Sequence, residues 1–269
     1  MPPSTAQTNE DQLKAANEAV YKHSLELARL KKELEETNGR QEDLIRFISH
    51  EVKGFLTKDM ASFAALEEGD FGALPDTTKE FVTRALAQSR DGVASVMDIL
   101  KASNMKKGTV SYQMGPFDLD CVAKDVVDKA QQAAQSKHLL LTYLSDPAGA
   151  PYTLNGDQKE IADHVLRNLV ENSINYTPSG SIAVSLQKVG GNYVFSVKDT
   201  GVGITDEDKA RLFTEGGHGK DSQKINVHST GYGLFIAKNI VTAHKGTIRA
   251  ESEGPGKGST FIVEFPSQA

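Results

Sequence analysis

The sequence predicts an α + α/β chain: a helical hairpin domain followed by an α/β sandwich. Three observations carry this. Apolar residues recur at helical spacing up to about residue 107, and beyond "NMKKGTVSY" helical segments alternate with period-two segments. The length of 269 residues fits roughly two domains, and 38% hydrophobic with 25% charged residues is ordinary for a globular chain.

Residues 1–10 read as a disordered polar tail. In 11–40, Leu13, Val20, Leu27 and Leu34 recur every seventh residue, with Ala16 and Leu30 partly filling the second heptad position. This is a weak parallel coiled-coil seam, diluted by His23 and Thr37, with a solvated single helix as the alternative. Asn38 and Gly39 then interrupt the pattern; glycine costs about 1 kcal/mol against alanine in a helix, so a joint that transmits helix rotation is expected there.

From Gln41 the helical pattern resumes, with Ile45, Ile48, Val52, Phe55 and Leu56 on one face and His50 roughly opposite them. The helix is expected to end near Leu66, "EEGDFGALPD" to turn, and a second helix to run from about Thr77 to Ser103 with Phe81, Leu86, Val93, Met97 and Leu100 as apolar positions. One hairpin has too little core, so 41–107 is expected to form a dimeric four-helix bundle.

In 108–269, helices are expected at Asp118 to Ser136, Gln158 to Tyr176 and Tyr232 to His244. "LLLTYL" and "PYTLNG" read as short strands, "SIAVSLQKV" and "NYVFSVKDT" as a hairpin around Gly190 and Gly191, and "GTIRAES" and "STFIVEFP" as a final pair. Strands grouped with helices out of strict βαβ order make an α/β sandwich.

The net charge of −6, from 36 acidic against 30 basic residues, excludes a broad nucleic-acid footprint and a basic membrane-binding stripe, so a phosphate-rich ligand must be caught locally. The single cysteine, Cys121, excludes an internal disulfide and is read as a small core residue. No apolar run is long enough to span a bilayer, and "MPPSTAQTNEDQ" lacks the regions of a signal peptide. A cytoplasmic protein without direct membrane insertion is the expectation.

Three stretches could carry chemistry. Asn168, Asn172 and Asn175 project from about one helical face, although asparagine is a poor helix former. Carboxamide oxygens can ligate Mg²⁺ and amide nitrogens can donate to phosphate, while a solvated polar face is the plainer alternative. "DTGVGI", Asp199 to Ile204, places a carboxylate at the end of an apolar strand, where it could accept from an exocyclic amine while Gly201 and Gly203 let the backbone approach a ring; an ordinary turn is the alternative. "STGYGLFIAKNIV" puts Gly231 and Gly233 at a helix start whose free amides attract phosphate, a weak signal alone.

Taken in order, behind a hairpin carrying His50 and Glu51, these stretches resemble the sensor histidine kinases from about residue 41 to the C-terminus. The resemblance implies a dimerisation and histidine phosphotransfer domain over 41–107 and, over 108–269, a catalytic ATP-binding domain of the GHKL (gyrase, Hsp90, histidine kinase, MutL) type. It makes His50 the phosphoacceptor and Glu51 its general base. Asn168 becomes the magnesium ligand, Asn172 a second phosphate and metal contact, Tyr176 an aromatic beside the purine, and Asp199 the adenine-reading residue with Gly201 and Gly203. Gly231, Gly233 and Leu234 become the box that closes over the phosphates, Thr260 a contact near adenine, and residues 212–230 a lid in which Lys220 or Lys224 could reach the γ-phosphate.

The implied cofactors are ATP and Mg²⁺; the implied partners are a second copy of the chain, a response-regulator receiver domain and an upstream sensor protein acting through the coiled coil. A catalytically inactive ATP-binding scaffold is the alternative. Several positions depart from the family pattern. Gly54 replaces the usual threonine or asparagine and puts phosphatase activity in doubt; Phe55 replaces proline and should straighten the helix. Asn175 stands where a basic residue commonly touches phosphate, Ser229 replaces a glycine, and Gly216 stands where a second phenylalanine would partner Phe213.

Overall fold

The computed structural model describes residues 5–146, 151–217 and 231–267, with side chains described from Lys14 onward except those of Ala15 and Glu42. It divides into two compact units, residues 1–54 and 55–269, each described by itself.

The first unit is one helix, α1 (Thr5–Glu68), whose C-terminal end belongs to the second unit. The expected interruption at Asn38 and Gly39 does not occur: both lie inside α1, and nothing stands within 4 Å of a Cβ placed on Gly39. A lone glycine lowers helix propensity by about 1 kcal/mol, which a helix of this length absorbs. Phe55 lies within α1. Val20, Leu27, Leu30 and Leu34 are exposed, as are Leu44, Ile45, Phe47 and Ile48. The side chain of Leu13, the first expected seam residue, lies outside those described.

In the second unit, the end of α1 and α2 (Asp76–Lys106) form the expected hairpin, turning through Gly69 and Gly72, both at positive φ. Leu56 packs so closely on Gly92 that a Cβ there would come within 2.9 Å of its methyl. The residues of α2 that are buried are Val82, Leu86, Ser89 and Ala102. Phe81 and Met97, expected among its apolar contacts, are exposed in the single chain.

The α/β part begins with β1 (Gly115–Asp118), a strand the sequence pattern did not reveal. Asp118 then caps α3 (Leu119–Ser136) by accepting from the amide of Asp120 at 2.9 Å. After β2 (Leu140–Ser145) and β3 (Thr153–Gly156), Asp157 caps α4 (Gln158–Glu160), which passes through a π-helical turn, Ile161–Leu166, into α5 (Arg167–Tyr176). β4 (Ser181–Val189) and β5 (Asn192–Asp199) form the expected hairpin, with Gly190 and Gly191 both at positive φ as a two-residue turn of this hand requires. The short α6 (Asp206–Arg211), capped by Thr205, was not expected; α7 (Gly233–Ala243), β6 (Thr247–Glu251) and β7 (Thr260–Pro266) were.

β1 pairs only with β3, and the main sheet has the order β2-β4-β5-β7-β6, antiparallel except for β2 with β4. Ile182, Val184, Leu186, Phe195, Val197, Phe261, Val263 and Phe265 alternate onto one sheet face and are buried in one core with Leu119 and Val126 of α3, Leu169 and Val170 of α5, and Ile236 and Ile240 of α7. Cys121, expected in the core, is exposed instead.

The end of α2 is anchored to this part. Ala102 is fully buried in the same core, Lys106 meets Glu215 at 2.9 Å, and Lys101 pairs with Glu160. Burial, then the charge of Lys101, pushes the neighbouring His164 imidazole below its ordinary value. Lys101 and Glu160 side chains are only 18% and 23% exposed. Lys101→Ala is therefore expected to cost about 2 kcal/mol in urea unfolding by leaving a partly buried carboxylate unpaired. Lys101→Met with Glu160→Met should recover most of that loss; a double variant as unstable as the single one would argue against an unpaired charge as the cause.

Candidate functional site

The sequence-predicted site residues fall into two sets, one in each unit. In the first, His50 projects from α1 with its side chain 86% exposed, away from the apolar face as its helical position predicted. Its Nδ1 stands 3.7 Å from Oε1 of Glu51, an electrostatic neighbour rather than a hydrogen-bond partner at this separation.

In the second unit the polar residues gather where α5, the turn after β5 and the start of α7 meet. Asn168 and Asn172 lie one turn apart on α5, and Asn172 Nδ2 donates to Asn168 Oδ1 at 3.3 Å. Asn168 Nδ2 is buried without a partner. Directly across stands Gly233: a Cβ there would come within 2.6 Å of Asn168 Oδ1, so any larger residue at this position would have to displace the Asn168 carboxamide. The side chain of Tyr232, at the N-cap of α7, makes no capping hydrogen bond to the helix, and Gly231, two residues before Gly233, turns the chain at φ 71. The amides of a helix start carry partial positive charge suited to an anion. Leu234 follows, half-buried against the core.

Asp199 is 3% exposed. Its Oδ1 accepts from the amides of Gly201 at 2.8 Å and Ser259 at 3.1 Å, and its Oδ2 accepts from the Ser259 hydroxyl at 2.6 Å. These bonds hold the carboxylate rigidly while leaving lone-pair capacity on Oδ2. Gly201 and Gly203 have the close approaches expected of them: a Cβ on Gly201 would sit 2.3 Å from the Tyr176 carbonyl, and one on Gly203, at φ 73, would sit 2.1 Å from the Gly254 carbonyl. Tyr176 is half-buried at the end of α5, and its carbonyl accepts from the Val202 amide at 3.1 Å.

Ser259 is the residue sequence reasoning missed. Thr260, chosen instead, pairs across the sheet with Lys198 and Glu251, whereas Ser259 shares parity with the buried Phe261, Val263 and Phe265. Counting back from those phenylalanines by twos would have found it. Gly216 is at φ 61 after α6, and residues 218–230, which include Lys220, Lys224 and Ser229, lie outside the described residues.

Residues 156–269 match the family of histidine kinase-, DNA gyrase B-, and HSP90-like ATPases. The chain is 28% identical over 227 residues to the sensor-like histidine kinase SenX3 of Mycolicibacterium smegmatis, covering 83% of this chain and 57% of the relative. It is 27% identical over 261 residues to the circadian input-output histidine kinase CikA of Synechococcus elongatus, covering 96% of this chain and 34% of the relative. The chain thus spans about half, or less, of the curated relatives it matches. Among solved structures, full-length ShkA in complex with AMPPNP superposes with TM-score 0.68 at 21% identity over 84% of this chain and 46% of that one. The Acinetobacter baumannii histidine kinase AdeS superposes with TM-score 0.56 at 21% identity over 80% of this chain and 96% of that one. The resemblance to sensor histidine kinases therefore extends over both helical and α/β parts, and no helix among the described residues is long and apolar enough to cross a membrane.

Proposed function

We propose that this sensor-histidine-kinase relative is an ATP:protein histidine phosphotransferase of a two-component system, acting as a homodimer. His50 takes the γ-phosphoryl group of ATP and passes it to an aspartate on a response-regulator receiver domain. The observation that supports this best is the pairing, on one chain, of an exposed His-Glu step on a helix with a domain matching the ATPase family whose asparagine face lies against the start of a helix.

In this reading Asp199 accepts from the exocyclic amine of adenine, Gly201 and Gly203 bring the backbone against the ring, and Tyr176 flanks it. Asn168, Asn172 and the start of α7 around Gly231, Gly233 and Leu234 face the phosphates. The unpartnered buried amide nitrogen of Asn168 fits a donor toward a phosphate oxygen, and its Oδ1 is the atom by which Asn168 would hold an accompanying Mg²⁺. Mg²⁺, when bound, neutralises charge on the phosphate tail.

At His50, Nδ1 is the nitrogen nearer Glu51, which leaves Nε2 to attack phosphorus. The Nε2–P bond forms as the bond to the ADP oxygen breaks, and the Nδ1 proton passes to the Glu51 carboxylate. A second copy of the chain is the partner that would cover Val20, Leu27, Leu34, Phe81 and Met97, all exposed in the single chain.

The test is incubation with γ-labelled ATP and Mg²⁺, wild type beside His50→Gln. Acid-labile, base-stable label is expected on the wild type and none on the variant, at equal ATP affinity. Label that persists in the variant, or absence of label from both while both bind ATP, would reject the reading, the second outcome in favour of an ATP-binding scaffold.

A further inference from the structure

Two buried side-chain atoms among those described have no hydrogen-bond partner: Asn168 Nδ2, already placed toward the phosphates, and Ser173 Oγ. Ser173 is 1% exposed and has no part in the chemistry above. An unpaired buried hydroxyl costs about 1–3 kcal/mol, and serine is also a poorer helix former than alanine. For the fold alone, alanine would be the better residue here.

The surroundings of Ser173 indicate what could use the hydroxyl. Ser173, Tyr176 and Thr177 stand at i, i+3 and i+4, so they share one face of the last turn of α5. Thr177 donates its hydroxyl to the Ser173 carbonyl at 2.7 Å, and a Cβ on Gly201 would come within 2.9 Å of both Thr177 Oγ1 and Asp199 Oδ1. The face that carries Ser173 is thus the one set against the Asp199 turn. There Oδ1 is occupied by two amides and Oδ2 by one hydroxyl, so the remaining acceptor capacity is on Oδ2.

We infer that Ser173 is a specificity-determining residue of the nucleotide site, its hydroxyl donating to a ring nitrogen that flanks the amine accepted by Asp199. The inference rests on the nucleotide reading proposed above. A carboxylate acceptor beside a hydroxyl donor complements a 6-aminopurine, whose amine lies between two acceptor nitrogens, N1 and N7. A 6-oxopurine would set its carbonyl oxygen against the carboxylate instead.

The test measures equilibrium binding of ATP, 1-deaza-ATP and 7-deaza-ATP to wild type and Ser173→Ala, together with thermal unfolding of both proteins without nucleotide. The variant should unfold at the wild-type temperature or above it, yet bind ATP about five-fold more weakly, as for the loss of one neutral hydrogen bond. One deaza analogue should bind wild type about five-fold more weakly than ATP and bind Ser173→Ala as well as ATP does, which identifies the nitrogen. Equal ATP affinity of variant and wild type, or an equal loss toward ATP and both analogues, would overturn the inference while leaving the nucleotide reading intact. Wild type that binds none of the three would remove that reading and this inference with it.

Discussion

Replacing Asp199 with asparagine is expected to lower ATP affinity at least about 100-fold, equivalent to roughly 3 kcal/mol, while changing the stability of the nucleotide-free protein far less. The amide oxygen can keep the two backbone bonds that Oδ1 receives from Gly201 and Ser259. The amide nitrogen takes the place of Oδ2, and the Ser259 hydroxyl, now 2.6 Å from that oxygen, can rotate and accept instead of donate. The local network survives, but a donor then faces the incoming amine where an acceptor stood. The charge-assisted bond is lost and two donors oppose each other. Calorimetric titration with ATP beside a urea unfolding curve separates the two effects. Wild-type affinity in the variant would show that Asp199 does not read the base; a large stability loss would make its role structural.

The parts of the site that were legible in the sequence are those specified locally. Asn168 and Asn172 share a face because helical spacing puts them there, and Gly201 and Gly203 follow Asp199 in one turn. The exposure of His50 follows from the same periodicity. What was not legible depends on contacts across long stretches of chain. Ser259 reaches Asp199 from 60 residues away, and choosing it over Thr260 needs the register of β7 against β5. β1 was invisible because "GPFD" has neither alternation nor length, and it exists through its pairing with β3. Asp157 ties distant segments together in the same way: its side chain accepts from the Gln113 amide at 2.8 Å, and its own amide donates to His244 Nε2 at 2.8 Å. Phe81 and Met97 mark the opposite limit, since their helical spacing was apparent but the single chain leaves them exposed. Gly39 shows that a weak propensity signal yields to the continuity of the long helix around it.

The turn that supports Asp199 gives the second large effect. Gly258→Ala is expected to cost at least about 3 kcal/mol in unfolding free energy and to weaken ATP binding even where the protein remains folded. Gly258 lies at φ 69, a region where a side chain costs roughly 1–2 kcal/mol. A Cβ there would also sit 2.1 Å from the Asp199 carbonyl oxygen and 3.1 Å from the Thr200 Cα. Those neighbours are backbone and cannot rotate aside. Relief would require separating the chain at Asp199 and Ser259, where the Asp199 amide donates to the Ser259 carbonyl at 2.9 Å, or breaking the 3.1 Å bond from the Gly258 amide to the Gly201 carbonyl. Either movement displaces the carboxylate that the preceding variant tests chemically. Gly256→Ala is the control, because Gly256 has a similar φ of 75 but nothing within 4 Å of its added Cβ. It should show the conformational cost alone and keep wild-type ATP affinity. If the two variants lose equal stability, backbone conformation and not the collision governs this turn, and the packing of Gly258 on Asp199 has no role in holding the site.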